Sequence, residues 1–337
     1  PATTRNSLTE PAPRISLPSM IELSEFKQLH HAVTLLGMSG AGKTVLSTSL
    51  RQSGGWYHFS ADYRIGTRYL VEHILDNIKM RIMRMDDAFV ANLLRSDSIY
   101  ISHNITVENL EPVSTYLGMY GDPKLGGLDK QTFLDRQDQY RRAEVSTMLD
   151  AERFIDKAWQ IYGCKDFIND ASGSLCEIVN LGDPGDPGDP VIQSLTANTL
   201  ILYIQADAAF EEKLKERARS HPKPLFYNPA FIEPHLADKP GTGEGVDPLD
   251  FARPLFPELL EFRKPRYGQI AERHGFTVHA KDLYAPDADG ATVPDTDLFL
   301  ERLYGAITEQ AAASDVAAAN LEAYVKACRA RAAERTQ

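Results

Sequence analysis

The sequence predicts an α/β fold, a parallel sheet with helices on both faces, and three observations carry that prediction. Short apolar runs of strand length alternate along the chain with stretches of helical period. The run at residues 199–204 (Thr-Leu-Ile-Leu-Tyr-Ile) is apolar almost without interruption, as a parallel strand covered on both faces should be. The first apolar run ends in a glycine-rich turn that leads into a helical pattern, the connection a β–α unit needs. A chain of 337 residues is long for one core and short for three.

The elements follow in order. Residues 1–24 are rich in Pro, Ser and Thr without periodicity and read as a flexible arm. Residues 31–36 are the first strand and 44–51 a helix. Residues 56–60, aromatic and preceded by Gly54-Gly55, are the second strand. From 65 to 97 the pattern is helical, with Leu70, Ile74, Ile78 and Ile82 four apart on one face. Residues 98–160 hold no strand: Pro112, Gly118, Gly121, Pro123, Gly126 and Gly127 break the first part, and 131–159 reads as a long charged helix. The whole is a helical insertion at about residues 80–162. Residues 166–170 are a third strand, and 183–190 (Asp-Pro-Gly-Asp-Pro-Gly-Asp-Pro) an acidic turn array. The fourth strand at 199–204 leads to a helix at 210–219 and a basic, proline-broken loop at 217–229. The fifth strand is 276–280. Helices at 298–307 and 311–334 close the chain, the last Ala-rich and expected on the surface or at an oligomer contact. This gives a main domain at 25–310 and a C-terminal helix at 311–337.

Composition removes several function classes. With 43% hydrophobic and 25% charged residues a packed core is expected. A formal net charge of −11 argues against nucleic acid and anionic membrane as partners. No apolar run reaches the roughly 18 residues of a membrane helix, and the polar start does not read as a secretory signal. Cys164, Cys176 and Cys328 form no CxxC pair or disulfide framework, which fits three inert thiols and a cytoplasmic location. No HExxH occurs, and His30-His31 on a strand would point to opposite faces, a poor chelate.

One motif is specific. Gly37-Met-Ser-Gly-Ala-Gly-Lys43-Thr44 fits G-x-x-x-x-G-K-[ST], the phosphate-binding (Walker A) pattern. Gly37, Gly40 and Gly42 let the backbone curl, so that the amides of Ser39, Ala41 and their neighbours face a phosphate. The following helix adds its positive end, Lys43 reaches the β- and γ-phosphates, and the Thr44 hydroxyl suits Mg²⁺. Four further positions are weaker. Asp62, just after the second strand, is either a base for an acceptor hydroxyl or a helix N-cap. Arg64 and Arg68 either line an anionic substrate pocket or are solvated. Asp170, ending the third strand, is either a Mg²⁺ carboxylate or a turn residue. Arg217 and Arg219, with Lys223, either close over a transferring phosphoryl or simply decorate a helix C-terminus. Arg263, Lys264 and Arg266 read as solvated charge.

On Gly37–Thr44 after strand one, Asp62 after strand two, Asp170 near the end of strand three and Arg217/Arg219 after strand four, the chain resembles the P-loop kinases of the shikimate, gluconate and nucleoside-monophosphate kinase type. It also resembles a group of bacterial proteins described only as ATPases, through the runs at 61–69 and 169–177. The kinase resemblance implies a three-layer P-loop NTPase fold with a five-stranded parallel sheet in order 2-3-1-4-5, a lid at about 215–235, and ATP on the first loop. It also implies that Tyr267 or residues 280–283 touch the adenine. The insertion is much longer than the acceptor-binding segment of those kinases.

The expected activity is therefore Mg²⁺- and ATP-dependent phosphoryl transfer to a small metabolite. Lys43, Asp62, Arg217 and Arg219 would be catalytic. Residues 37 and 39–44 would hold the nucleotide, and Thr44 and Asp170 the metal. The alternative is a regulatory or switch ATPase that binds a protein partner.

Overall fold

The computed structural model describes residues 21–182, 188–287, 290 and 292–335. Five strands, β1 (Ala32–Leu36), β2 (Trp56–Ser60), β3 (Asp166–Asp170), β4 (Leu200–Gln205) and β5 (Gly275–His279), form one sheet in the order β2-β3-β1-β4-β5. Every pairing is parallel. The expected α/β class with a parallel sheet and the expected strand order are both observed. The register brings Leu35 and Ser60 alongside Asp170, so the carboxyl ends of β1, β2 and β3 finish together.

Period-two alternation assigns the two faces. Val33, Leu35, Leu202 and Ile204 point to a core closed by Leu46 and Leu50 of the helix Lys43–Ser53, and by Phe299 and Leu303 of the helix Thr296–Ala313. Leu36, Ile201 and Tyr203 point the other way, onto the helices Lys130–Gln160, Pro190–Asn198 and Pro248–His274. Leu202 has no exposed surface. Truncating it to Ala would cost about 2–5 kcal/mol. A third cluster, built on Tyr120, Phe133, Phe231, Leu255 and Leu259, ties the insertion to the helices Pro229–Leu236 and Pro248–His274.

Several sequence expectations are corrected. Residues 1–20 of the expected arm lie outside the described residues, but Ile21 is buried in the core, so 21–24 belong to the body. The pattern from 65 to 97 is not one helix. A π-helical turn Ile65–Tyr69 precedes the helices Val71–Arg84 and Ala88–Arg95; Leu70 and Ile74 are buried, Ile78 is exposed. The last helix, Asp315–Glu334, is not a surface appendage: Leu321, Tyr324, Val325 and Cys328 pack into the core beneath the sheet. Residues 183–187 of the acidic turn array lie outside the described residues; Asp189 caps the helix Pro190–Asn198.

The helix Pro248–His274 was not among the expected elements, and it carries Pro254, Pro257 and Pro265 in its interior. Each removes one backbone donor. Its buried face (Leu255, Leu259, Leu260, Tyr267, Ile270) outweighs those losses. Among the described residues no helix is long and apolar enough to cross a membrane.

Candidate functional site

The site lies where β1, β2 and β3 end. After Leu36 the chain turns through Gly37, Gly40 and Gly42, at φ of 150°, 91° and 88°. All three are also crowded, Gly37 and Gly42 by polar groups. A Cβ at Gly37 would lie 2.9 Å from the Ile204 carbonyl oxygen, and one at Gly42 would lie 2.6 Å from the Tyr284 hydroxyl. Only glycine suits both demands. Gly42 is the N-cap of the helix Lys43–Ser53 and offers that helix end no side-chain acceptor. Lys43 is buried and folds back over the loop, donating to the carbonyls of Gly37 (2.7 Å) and Met38 (3.1 Å). Burial lowers its pKa, opposed by the nearby carboxylates of Asp170 and Asp62.

Thr44 and Asp170, 126 positions apart, meet: the Thr44 hydroxyl donates to Asp170 Oδ2 at 2.7 Å. The side chain of His58, on β2, brings Nε2 to 3.4 Å from the same oxygen. The pair Thr44–Asp170 offers hard oxygen donors of the kind Mg²⁺ takes.

Asp62 does not cap a helix; Ser60 does, accepting from the Tyr63 amide. Asp62 instead lines a cavity of about 240 Å³ with Ser39 of the glycine loop, Tyr140, Ser172, Ser174 and Arg263. Leu110, Val113, Leu117 and Phe226 give the same cavity an apolar lining. Burial, then the charge of Asp170, raises the Asp62 pKa; Lys43 and hydrogen bonds from Ser172 and Tyr140 oppose the rise. Gly173 is pressed on the loop, since a Cβ there would lie 2.8 Å from the Ser39 amide nitrogen.

The basic residues divide. Arg217 is exposed but lines a second cavity, about 300 Å³, that shares Ser39 and Lys223 with the first. Arg219 lies on the outer face of its helix, paired with Glu212 and Glu216, and is not brought to the site. Arg64 is held by Asp150, while Arg68 is exposed. The expected solvated cluster is largely absorbed by the fold. Arg263 is buried and donates to Glu177 (2.6 Å) and the Phe226 carbonyl (3.0 Å), and Arg266 donates to the Cys176 and Val179 carbonyls. Lys264 pairs with Glu211. Glu177 also accepts from the Asn228 amide at 2.6 Å, and Gln137 bridges the Leu225 carbonyl and the Tyr227 amide. The segment expected to act as a lid is therefore fastened from Leu225 to Asn228.

Tyr267 is buried, its hydroxyl bound to the Gly173 carbonyl, and does not present its ring to a ligand. Residues 280–283 form a short helix after β5, and Tyr284, which follows it, stands against Gly42.

Sequence reasoning missed His58, Tyr140, Glu144 and Ser172. A signal existed for two of them. Phe133, Gln137, Tyr140, Glu144, Thr147 and Ala151 lie three or four apart on the buried face of Lys130–Gln160, so polar residues occupy core positions there.

Set against models of protein families, curated proteins and solved structures, the chain matches none of them.

Proposed function

We propose that the chain is a Mg²⁺-ATP-dependent phosphotransferase acting on a small hydroxyl-bearing acceptor. The observation that carries the reading is a junction. A loop with phosphate-binding sequence and glycine-only geometry shares Ser39 with a cavity whose wall holds the carboxylate Asp62.

In this reading the amides of residues 38–43 and the Lys43 ammonium hold the β- and γ-phosphates of ATP. Thr44 and Asp170 would hold Mg²⁺, which supplies charge neutralisation on the phosphates. The acceptor lies in the cavity beside Asp62. Asp62 takes the proton from its hydroxyl, the freed oxygen attacks the γ-phosphorus, and the bond from phosphorus to the ADP oxygen breaks. Arg217, from its neighbouring cavity, is the basic helix residue best placed to offset the charge of transfer. A cavity of that size suits a small metabolite.

The test is a thermal-shift and ADP-release screen with Mg²⁺-ATP against sugars, sugar acids, nucleosides and cyclic hydroxy acids. A true acceptor raises both the melting temperature and ADP output. Brisk ATP turnover that no acceptor accelerates would sink the transferase reading. It would favour a partner-regulated ATPase, for which the exposed Met80, Met85, Phe89 and Tyr100 of the segment 71–100 offer a contact surface.

A further inference from the structure

On β2 the side chains of Trp56, His58 and Ser60 share one face of the sheet, by the strand period of two. Trp56 packs in the core with Leu46 and Leu50 of the helix Lys43–Ser53, and Ser60 caps the turn that carries Asp62. His58 stands between them, its side chain 3% exposed. A strand position covered by a helix ordinarily holds an apolar residue. Here it holds an imidazole whose Nε2 is buried, has no hydrogen-bond partner among the described residues and lies 3.4 Å from Asp170 Oδ2. The proposed transfer chemistry does not use this ring.

Elementary electrostatics assigns its hydrogen. A lone pair on Nε2 would face the carboxylate and be repelled, so Nε2 carries the hydrogen and the ring aims an N–H at Asp170. Asp170 Oδ2 is then approached from two separate elements, by the Thr44 hydroxyl of Lys43–Ser53 at 2.7 Å and by His58 of β2. Oδ1 accepts from no group among the described residues. One donor lets a carboxylate turn about the bond it accepts, whereas two donors on different elements hold its plane. The Thr44 hydroxyl is itself assigned to the metal, so His58 is the contact on Asp170 that has no other duty.

We propose that His58 is a positioning residue for the metal: its Nε2–H holds Asp170 by Oδ2 and leaves Oδ1 to Mg²⁺. The inference rests on the metal site of the phosphotransferase reading and adds to it a residue outside the donor set. Groups that orient a metal ligand from behind are worth about 10–100-fold in metal affinity. A buried N–H without a full hydrogen bond also weakens a fold. A histidine kept here for the metal and one kept for stability therefore behave oppositely when removed.

The test uses the full-length protein with ADP, and Mn²⁺ as a paramagnetic stand-in for Mg²⁺. Nitrogen-15 NMR of the histidine-labelled wild type should show His58 Nε2 protonated. Electron paramagnetic resonance should show Mn²⁺ bound about 10–100-fold more weakly to the ADP complex of His58→Leu than to that of the wild type. In the same variant the melting temperature should hold or rise, and ADP affinity without metal should be unchanged. His58→Gln, whose amide can donate in place of the ring, should bind Mn²⁺ nearly as the wild type does. An unprotonated Nε2 in the wild type overturns the proposal. So does a His58→Leu protein in which metal affinity and melting temperature fall together, which would make the ring structural. A His58→Gln protein as weak as His58→Leu also overturns it, because the imidazole would then ligate the metal itself. Mn²⁺-ADP bound alike by all three proteins refutes the role of His58 and leaves the phosphotransferase reading standing. A wild type that binds neither ADP nor Mn²⁺-ADP refutes that reading and this role with it.

Discussion

Strand β3 carries an aspartate at each end, and the two ends serve different purposes. At its amino end Asp166 accepts the His31 amide at 2.8 Å, and the cations Lys165, Arg331 and Arg335 act on it. This carboxylate is spent on holding a backbone amide just before β1, and two of those cations belong to the C-terminal helix and the residue after it. At the carboxyl end Asp170 accepts from Thr44 and neighbours His58, and its charge acts on Lys43 and Asp62. The same residue type, four positions apart, is a fastener at one end and a member of a charge cluster at the other. What separates them is topology. In a parallel sheet the loops that can adopt special conformations gather at the carboxyl ends of the strands, and function collects there.

Variants at these positions sharpen the contrast, beginning with the largest effect. Arg263→Met strands the buried Glu177 carboxylate and unfastens Leu225 to Asn228. Chemical denaturation should show a loss of about 3–5 kcal/mol. A loss under about 1 kcal/mol would mean that this end of the molecule holds no structural pair. Asp170→Asn should lower Mg²⁺-ATP turnover by about 10²–10³-fold with the melting temperature unchanged or raised. An equal fall in stability would make Asp170 a fastener like Asp166.

Asp166→Asn should leave turnover within about twofold. Burial raises the Asp166 pKa to about 6, so in the native protein it favours the protonated form. That contribution is present at low pH and is lost as pH rises from about 4 to about 6. Asn still accepts the His31 amide and does not titrate, so stability plotted against pH should flatten across that window. The smallest effect is expected at Arg219→Ala. This residue is exposed and pairs with Glu212 and Glu216 on its own helix, so stability and turnover should hardly change. A large loss of turnover would place Arg219 at the transferring group after all.

The sheet was legible in the sequence because its strands are short, apolar and punctuated. Asp166–Asp170 and Trp56–Ser60 were bounded correctly, and the long helix was expected within one residue of Lys130–Gln160 at each end. The glycine loop was legible because positive φ and crowding leave glycine alone at Gly37 and Gly42. The meeting of Thr44 with Asp170 was expected, because the phosphate-loop motif and the end of the third strand were assigned to one Mg²⁺ site. What stayed hidden was built by tertiary packing. Arg263 looks like any surface cation until Glu177 is brought to it from 86 positions away. Pro254, Pro257 and Pro265 mask a helix that burial maintains. Glu144 sits in a run of charged residues, and only the helix register shows that it faces inward.

The central claim, that the loop at residues 37–44 takes the phosphates of ATP, is tested most directly by calorimetric titration of Mg²⁺-ATP into the wild type and Lys43→Ala. Saturable one-to-one binding by the wild type is expected, weakened at least tenfold, or about 1.4 kcal/mol, in the variant. Absence of heat from the wild type at millimolar ATP, or equal affinity in the two proteins, would contradict the account.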